Sequence, residues 1–165
     1  MDRFWIAVWA CDQPGVLQRI TGLCARWGVN LASVTVGTSG EEGISRITLA
    51  LHGTSADRDR VINQLSQLVD VIRIQPLNRN NAISRELALI KVSATAAQRP
   101  EIMALAETFH CGVVDVGRES LTVEAAGESS AVQAIISLFR PYGILELSRT
   151  GETSIERSLC PQTCD

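Results

Sequence analysis

The sequence predicts an α+β fold of two tandem βαββαβ units, and three observations carry that expectation. Apolar residues alternate in some segments and recur at helical spacing in others. The order strand, helix, strand, strand, helix, strand occurs once before the polar stretch Asn78–Ser84 and once after it. A chain of 165 residues with 45% hydrophobic side chains has material for two small cores, because at this length roughly 70% of the unfolded surface can be buried.

The first strand is expected from about Phe4 to Cys11, an unbroken apolar run with no small-residue cleavage site after it, so it reads as a buried strand and not as a leader. Asp12-Gln13-Pro14-Gly15 then opens a helix, with a proline near its first position and a carboxylate at its positive end. Val16, Leu17, Ile20, Leu23, Cys24 and Trp27 form one face of that helix, and Gly28 ends it. Strands follow from about Asn30 to Gly37 and from Ile44 to His52, joined by a turn over 38–43. Ser55 suits the N-cap of a helix carrying Val61, Ile62, Leu65, Leu68 and Val69. Val71 to Leu77 closes the first unit.

The second unit opens with a strand from about Glu86 to Ala94. Arg99-Pro100-Glu101 announces a helix with Ile102, Leu105, Ala106 and Phe109 on its apolar face. Strands at Val113–Val116 and Leu121–Ala126 flank the turn over 117–120. Ser129-Ser130 is expected to cap a helix bearing Val132, Ile135, Ile136 and Phe139, and Ile144–Arg149 is the closing strand. Each unit suits a ferredoxin-like antiparallel sheet with both helices on one face.

Composition excludes several classes of function. A net charge of -3 with 4% aromatics gives neither the basic face nor the stacking rings of a nucleic-acid binder. No apolar run reaches the ~20 residues of a membrane span, so the expected location is the cytoplasm. Of the five cysteines, Cys24 and Cys111 sit at core-like positions and only Cys160 and Cys164 form a close pair. With His52 and His110 isolated, no metal site is expected.

Motifs of catalysis are missing as well. There is no G-x-S-x-G elbow and no phosphate loop ending in Gly-Lys; Lys91 is the sole lysine. Gly37, Gly40 and Gly43 lie between two strands with no helix after them, which suits a hairpin connection. Glu41-Glu42 and Glu124/Glu128 read as solvated charges. One junction does have a mechanism. At Asp12-Gln13-Pro14-Gly15-Val16-Leu17 a helix start offers free N–H groups to a carboxylate, and Asp12 can accept hydrogen bonds from an ammonium group. Those are the two ends of a free α-amino acid. The same residues also suit a plain cap and turn.

The stretch Asp12-Gln13-Pro14-Gly15-Val16-Leu17-Gln18-Arg19-Ile20-Thr21-Gly22-Leu23 resembles the ligand-binding opening of an ACT domain, a sensing module of amino-acid metabolism. More narrowly, Arg26-Trp27-Gly28-Val29-Asn30-Leu31-Ala32-Ser33-Val34-Thr35-Val36-Gly37 and Ser45-Arg46-Ile47-Thr48 are similar to the acetolactate (acetohydroxyacid) synthase small, regulatory subunit. Arg85-Glu86-Leu87-Ala88-Leu89-Ile90-Lys91-Val92 and Gly143-Ile144-Leu145-Glu146-Leu147-Ser148-Arg149-Thr150-Gly151 extend the likeness to residues 4–151. Residues 1–78 are then expected to be an ACT regulatory domain and 85–151 a C-terminal small-subunit domain of ACT-like fold, with the polar, turn-rich 79–84 as linker; from Gly151 onward the chain is polar, so 152–165 is expected to be a disordered tail.

The resemblance implies a chain without catalysis or cofactor of its own. Its partner would be a separate catalytic (large) subunit that uses thiamine diphosphate, Mg²⁺ and FAD to make acetolactate or acetohydroxybutyrate. The small subunit would raise that activity and confer feedback inhibition by valine or another branched-chain amino acid. It would act as a homodimer, with Asp12, Gly15 and Val16 of one chain and Asn30 and Leu31 of the other lining each effector site. Asp12 stands where the bacterial pattern commonly has Asn; a carboxylate holds an ammonium better and repels a ligand carboxylate. A free-standing tandem ACT sensor would share the first-half site but not the second-half motifs. A small acylphosphatase-like enzyme would need an arginine in the loop after the first strand, which carries Asp12 instead.

Overall fold

The computed structural model describes residues 2–158. Their elements are β1 (Asp2–Cys11), α1 (Val16–Arg26), β2 (Leu31–Thr38), β3 (Ile44–Gly53), α2 (Ser55–Leu65), β4 (Val71–Leu77), β5 (Ala82–Ser93), α3 (Arg99–Thr108), β6 (Gly112–Val116), β7 (Ser120–Gly127), α4 (Ser129–Phe139), β8 (Ile144–Arg149) and β9 (Thr153–Glu156). The order is βαββαβ twice, in an α+β fold of two ferredoxin-like units with antiparallel sheets, plus one short strand. The chain divides after Ile83. Among the described residues, 2–83 joined by 151–158 form one unit, and Ser84–Thr150 form the other.

In the first unit the sheet runs β2-β3-β1-β4. Phe4, Ile6, Val8 and Ala10 of β1 share a face with Ile47, Leu49 and Leu51 of β3, and α1 and α2 pack Val16, Ile20, Cys24, Val61 and Leu65 against it. The other face of β1 is also buried: Trp5, Ala7 and Trp9 cluster with Ala50, Leu77 and Ala82. Burial on both faces accounts for the unbroken apolar run of β1, where a half-exposed strand would alternate.

Part of the cover on that second face comes from a segment expected to be disordered. From Gly151 to Arg157 the chain lies against the first sheet, with Glu152 and Ser154 buried, and it carries β9, which pairs with β5 and not with a strand of that sheet. Its polarity, which predicts disorder, does not leave it in solvent. Those polar groups are buried because the sheet supplies their partners, as when Trp5 Nε1 donates to Glu152 Oε2 at 2.5 Å and Arg3 pairs with the same oxygen at 2.8 Å. Cys160 and Cys164 lie outside the described residues.

In the second unit the sheet runs β6-β7-β5-β8. Ile90 and Val92 of β5 and Leu121 and Val123 of β7 pack under Ile102 and Ala106 of α3 and Val132, Ile136 and Phe139 of α4. At the start of β5 the buried Glu86 carboxylate accepts from Arg149 Nε at 2.7 Å, and Arg149 also donates to the backbone carbonyl of Ser129 at 3.1 Å. The Arg-Glu and Ser-Arg-Thr motifs of the second half therefore meet as one ion pair, with Glu86 buried and Arg149 partly open to solvent.

Helix caps differ from expectation at three places. Thr54, not Ser55, caps α2, in a reciprocal box: Asp57 N–H donates to its hydroxyl, and its own N–H donates to Asp57 Oδ2 at 2.9 Å. Glu128 precedes α4, and the Ser129 oxygens serve Arg149 instead. Asp12 makes no cap on α1. Leu68 and Val69 were expected on the apolar face of α2, but the helix ends at Leu65; in the turn beyond it Leu68 still packs against the core, while Val69 lies 98% exposed. Among the described residues no helix is long and apolar enough to cross a membrane.

Candidate functional site

Where β1 gives way to α1, the backbone makes a tight, open-faced turn. Asp12 N–H donates to Gly43 O at 2.8 Å, Gln13 N–H to Cys11 O at 3.0 Å, and Val16 N–H to Gln13 O at 3.3 Å. Gly15 is the residue before the helix, at φ 85°, ψ −11°. That left-handed conformation is cheap only for glycine, and it aims the first turn of α1 outward. No side chain caps this end and no acidic residue lies in the first turn, so its positive end stays uncompensated.

A cation missed in the sequence sits over the turn. Arg19 follows Gly15 by one helical turn, and its Nη1 lies 3.2 Å from where a Cβ on Gly15 would stand. Its Nε and Nη2 both donate to Asp70 Oδ2, at 2.8 and 2.7 Å, while Asp70 O accepts from Cys11 N–H at 2.9 Å. One edge of the guanidinium is thus fixed by two donors, and Nη1 is left toward Gly15. The i, i+4 spacing of Gly15 and Arg19 was the available signal; Asp70 is remote in sequence and gave none.

Asp12 and Gly15 are exposed, and Val16 is a core residue that offers the site only its backbone. Asn30 and Leu31 lie elsewhere. Leu31 pairs with Leu51, and Leu51 with Phe4, so the start of β2 is level with the start of β1. Cys11, next to Asp12, is seven residues further along, roughly 23 Å at strand rise. One protomer therefore brings Asp12, Gly15 and Val16 together and holds Asn30 and Leu31 at the opposite end of the sheet.

On the opposite face of this sheet, Trp9 lies between its cross-strand partners Arg46 and Arg73, whose guanidinium carbons are 5.0 and 3.5 Å from a ring centroid. Burial, and next the like charge of Arg73, hold the Arg46 guanidinium below its ordinary value. Burial raises the thiols of Cys24 and Cys111, which makes them poor nucleophiles. Among the described residues no three His, Cys, Asp or Glu side chains gather as a metal site.

Comparison with known proteins decides the family. Residues 85–158 match the family model described as the small subunit of acetolactate synthase, and residues 6–73 match the AHAS small subunit-like ACT domain. The chain is 40% identical over 153 residues to the acetolactate synthase small subunit of Bacillus subtilis, covering 92% of this chain and 89% of that one. The chain belongs to the acetolactate synthase small-subunit family. A probable small subunit from Archaeoglobus fulgidus is also 40% identical, over 92% of this chain and 95% of its own length. The crystal structure of the Thermotoga maritima small subunit superposes with a TM-score of 0.91 at 31% identity, covering 97% of this chain and all of that one. The match over 85–158 is the feature that separates this family from free-standing tandem ACT sensors.

Proposed function

We propose that the chain is the non-catalytic regulatory subunit of acetolactate synthase in branched-chain amino-acid biosynthesis. It raises the activity of a catalytic subunit and makes that activity sensitive to valine or a related amino acid. The thiamine diphosphate, Mg²⁺ and FAD of the reaction belong to the catalytic chain. The observation that carries the effector assignment is the turn at Gly15, where an uncapped helix start and Arg19 Nη1 flank a residue without a side chain, three positions after Asp12. The carboxylate of an α-amino acid meets Arg19 and the first N–H groups of α1; its ammonium meets Asp12. Arg19 offsets the repulsion that Asp12 imposes on the ligand carboxylate.

The strand register also supports a homodimer with shared sites. β2 is an edge strand, and Thr38 at its end pairs with Ser45, which pairs with Ala10. The end of β2 is thus near the Asp12 turn and its start is far from it. Antiparallel pairing of two β2 edges about a two-fold axis sets the partner's start of β2 beside Thr38. Residues Asn30 and Leu31 of one protomer then reach the Asp12–Gly15 turn of the other. The same pairing removes an open sheet edge.

Reconstitution tests the proposal. The purified chain alone is expected to form no acetolactate from pyruvate, to raise the rate when added to the catalytic subunit of its own host, and to make that rate fall with millimolar valine. Absence of any effect on the catalytic subunit would overturn it.

A further inference from the structure

We infer that Gly151 and Glu152 are positioning residues for the effector site: they clamp β2 from behind and set where Asn30 and Leu31 stand. This rests on the effector assignment proposed above. β2 is held by ladder bonds on one side only, and its register slips between Leu31 and Ser33. A bulge in an edge strand has no ladder of its own to fix it, so the position of Asn30–Leu31 depends on what holds Ser33 and Thr35. The clamp holds both. Ser33 Oγ accepts from Glu152 N–H at 3.2 Å, and Thr35 Oγ1 donates to Glu152 O at 2.7 Å. Gly151 passes so close that a Cβ on it would stand 2.7 Å from Ser33 Cβ and 3.2 Å from Thr35 Oγ1.

The far side of the clamp is fixed to the middle of the sheet. Glu152 is 3% exposed, and its carboxylate accepts from Trp5 Nε1 and pairs with Arg3, both on β1. Further along, Arg46 of β3 donates to Ser154 O, Gln75 of β4 donates to Glu156 Oε2 at 2.5 Å, and Arg157 N–H donates to Asn81 O at 2.7 Å. These contacts make 151–157 a strap across the sheet, anchored on every strand. β2 is the strand that most needs it. Hydroxyls at 33 and 35, glycine at 151 and a carboxylate at 152 fit one another as a set.

The test is a double-mutant cycle on the full chain. Gly151→Ala pushes β2 away at Ser33, and Ser33→Gly makes room for the added methyl group. Gly151→Ala is expected to raise the valine concentration for half-saturation about tenfold or more, with the dimer retained by light scattering. The double variant Gly151→Ala/Ser33→Gly, which gives up the Ser33 hydroxyl but removes the clash, is expected to recover part of the affinity, and urea unfolding of each variant separates that recovery from a regain of overall stability. Glu152→Gln, which keeps the shape and removes the charge, is expected to shift valine binding in the same direction and to change tryptophan emission through Trp5. If wild type binds valine and Gly151→Ala binds it equally well, or if Ser33→Gly gives no recovery, the clamp is overturned and the effector site stands. If wild type binds none of valine, leucine and isoleucine, the effector assignment itself falls, and the clamp with it.

Discussion

Replacing Gly15 with Asp should remove the effector response and leave the dimer intact. Gly15 holds φ 85°, ψ −11°, where an L-residue costs roughly 1–2 kcal/mol, less for Asp than for most. An added Cβ meets only Arg19 Nη1, at 3.2 Å, and a guanidinium end can yield by a few tenths of an ångström. The fold therefore loses about 1 kcal/mol from a stability of typically about 5–15 kcal/mol. Binding loses more. The new carboxylate pairs with Arg19 and faces the open N–H groups of α1, the donors that the ligand carboxylate needs. Two charge-assisted bonds at about 1.5–3 kcal/mol each make a loss of about 3–6 kcal/mol, which is more than about 100-fold in affinity. Gly15→Ala carries a backbone cost at least as large without the charge and should weaken binding by less than about tenfold. Calorimetric titration of both variants with valine, beside light scattering, separates the two contributions. A Gly15→Asp dimer that binds valine within about threefold of wild type would refute the placement of the carboxylate.

Three further outcomes are expected. Arg19→Gln keeps much of the side-chain length and loses the charge, so valine should bind about tenfold more weakly, and its affinity should respond less to added salt than wild type does. Thr54→Ala removes the α2 cap at a cost of about 1 kcal/mol in urea unfolding. Hydrogen bonds from the Thr54 backbone and hydroxyl hold the Asp57 carboxyl below its ordinary value. Its contribution is therefore complete above about pH 4 and is lost as pH falls through the lowered value; the variant should show a flatter acid limb. Arg149→Ala removes the partner of Glu86, whose side chain is 5% exposed while that of Arg149 is 28% exposed, and should cost about 1–3 kcal/mol, read as earlier hydrogen exchange in β5 and α4 than in β1.

The two βαββαβ runs were legible because they depend on local pattern: period-two alternation in β3 and β5, and helical spacing in α1 and α4. The turn at Asp12–Gly15 was legible for the same reason, since Pro14 and Gly15 mark a helix start in any context. What the sequence hid depends on contacts between distant segments. Glu152 and Ser154 look like solvent-facing residues until Trp5, Arg3 and Arg46 are placed beneath them. Asp70 looks like any turn carboxylate until α1 brings Arg19 to it. One clue to the strap was present. β1 is apolar on both faces, and a sheet with helices on one side only has no use for Trp5 and Trp9 unless something covers them.

The central claim is that each effector site takes its parts from two protomers, and mixing two disabled variants tests it most directly. Gly15→Asp spoils the turn and Asn30→Ala spoils the start of β2, so either homodimer has two defective sites. A dimer with one chain of each kind has both defects in one site and none in the other. After unfolding and joint refolding at equal amounts, half of the dimers are mixed, and calorimetry should find about a quarter of the wild-type number of valine sites, at wild-type affinity. If random mixing is verified by a mass tag on one variant and no high-affinity site returns, the site lies within a single chain and the account is contradicted.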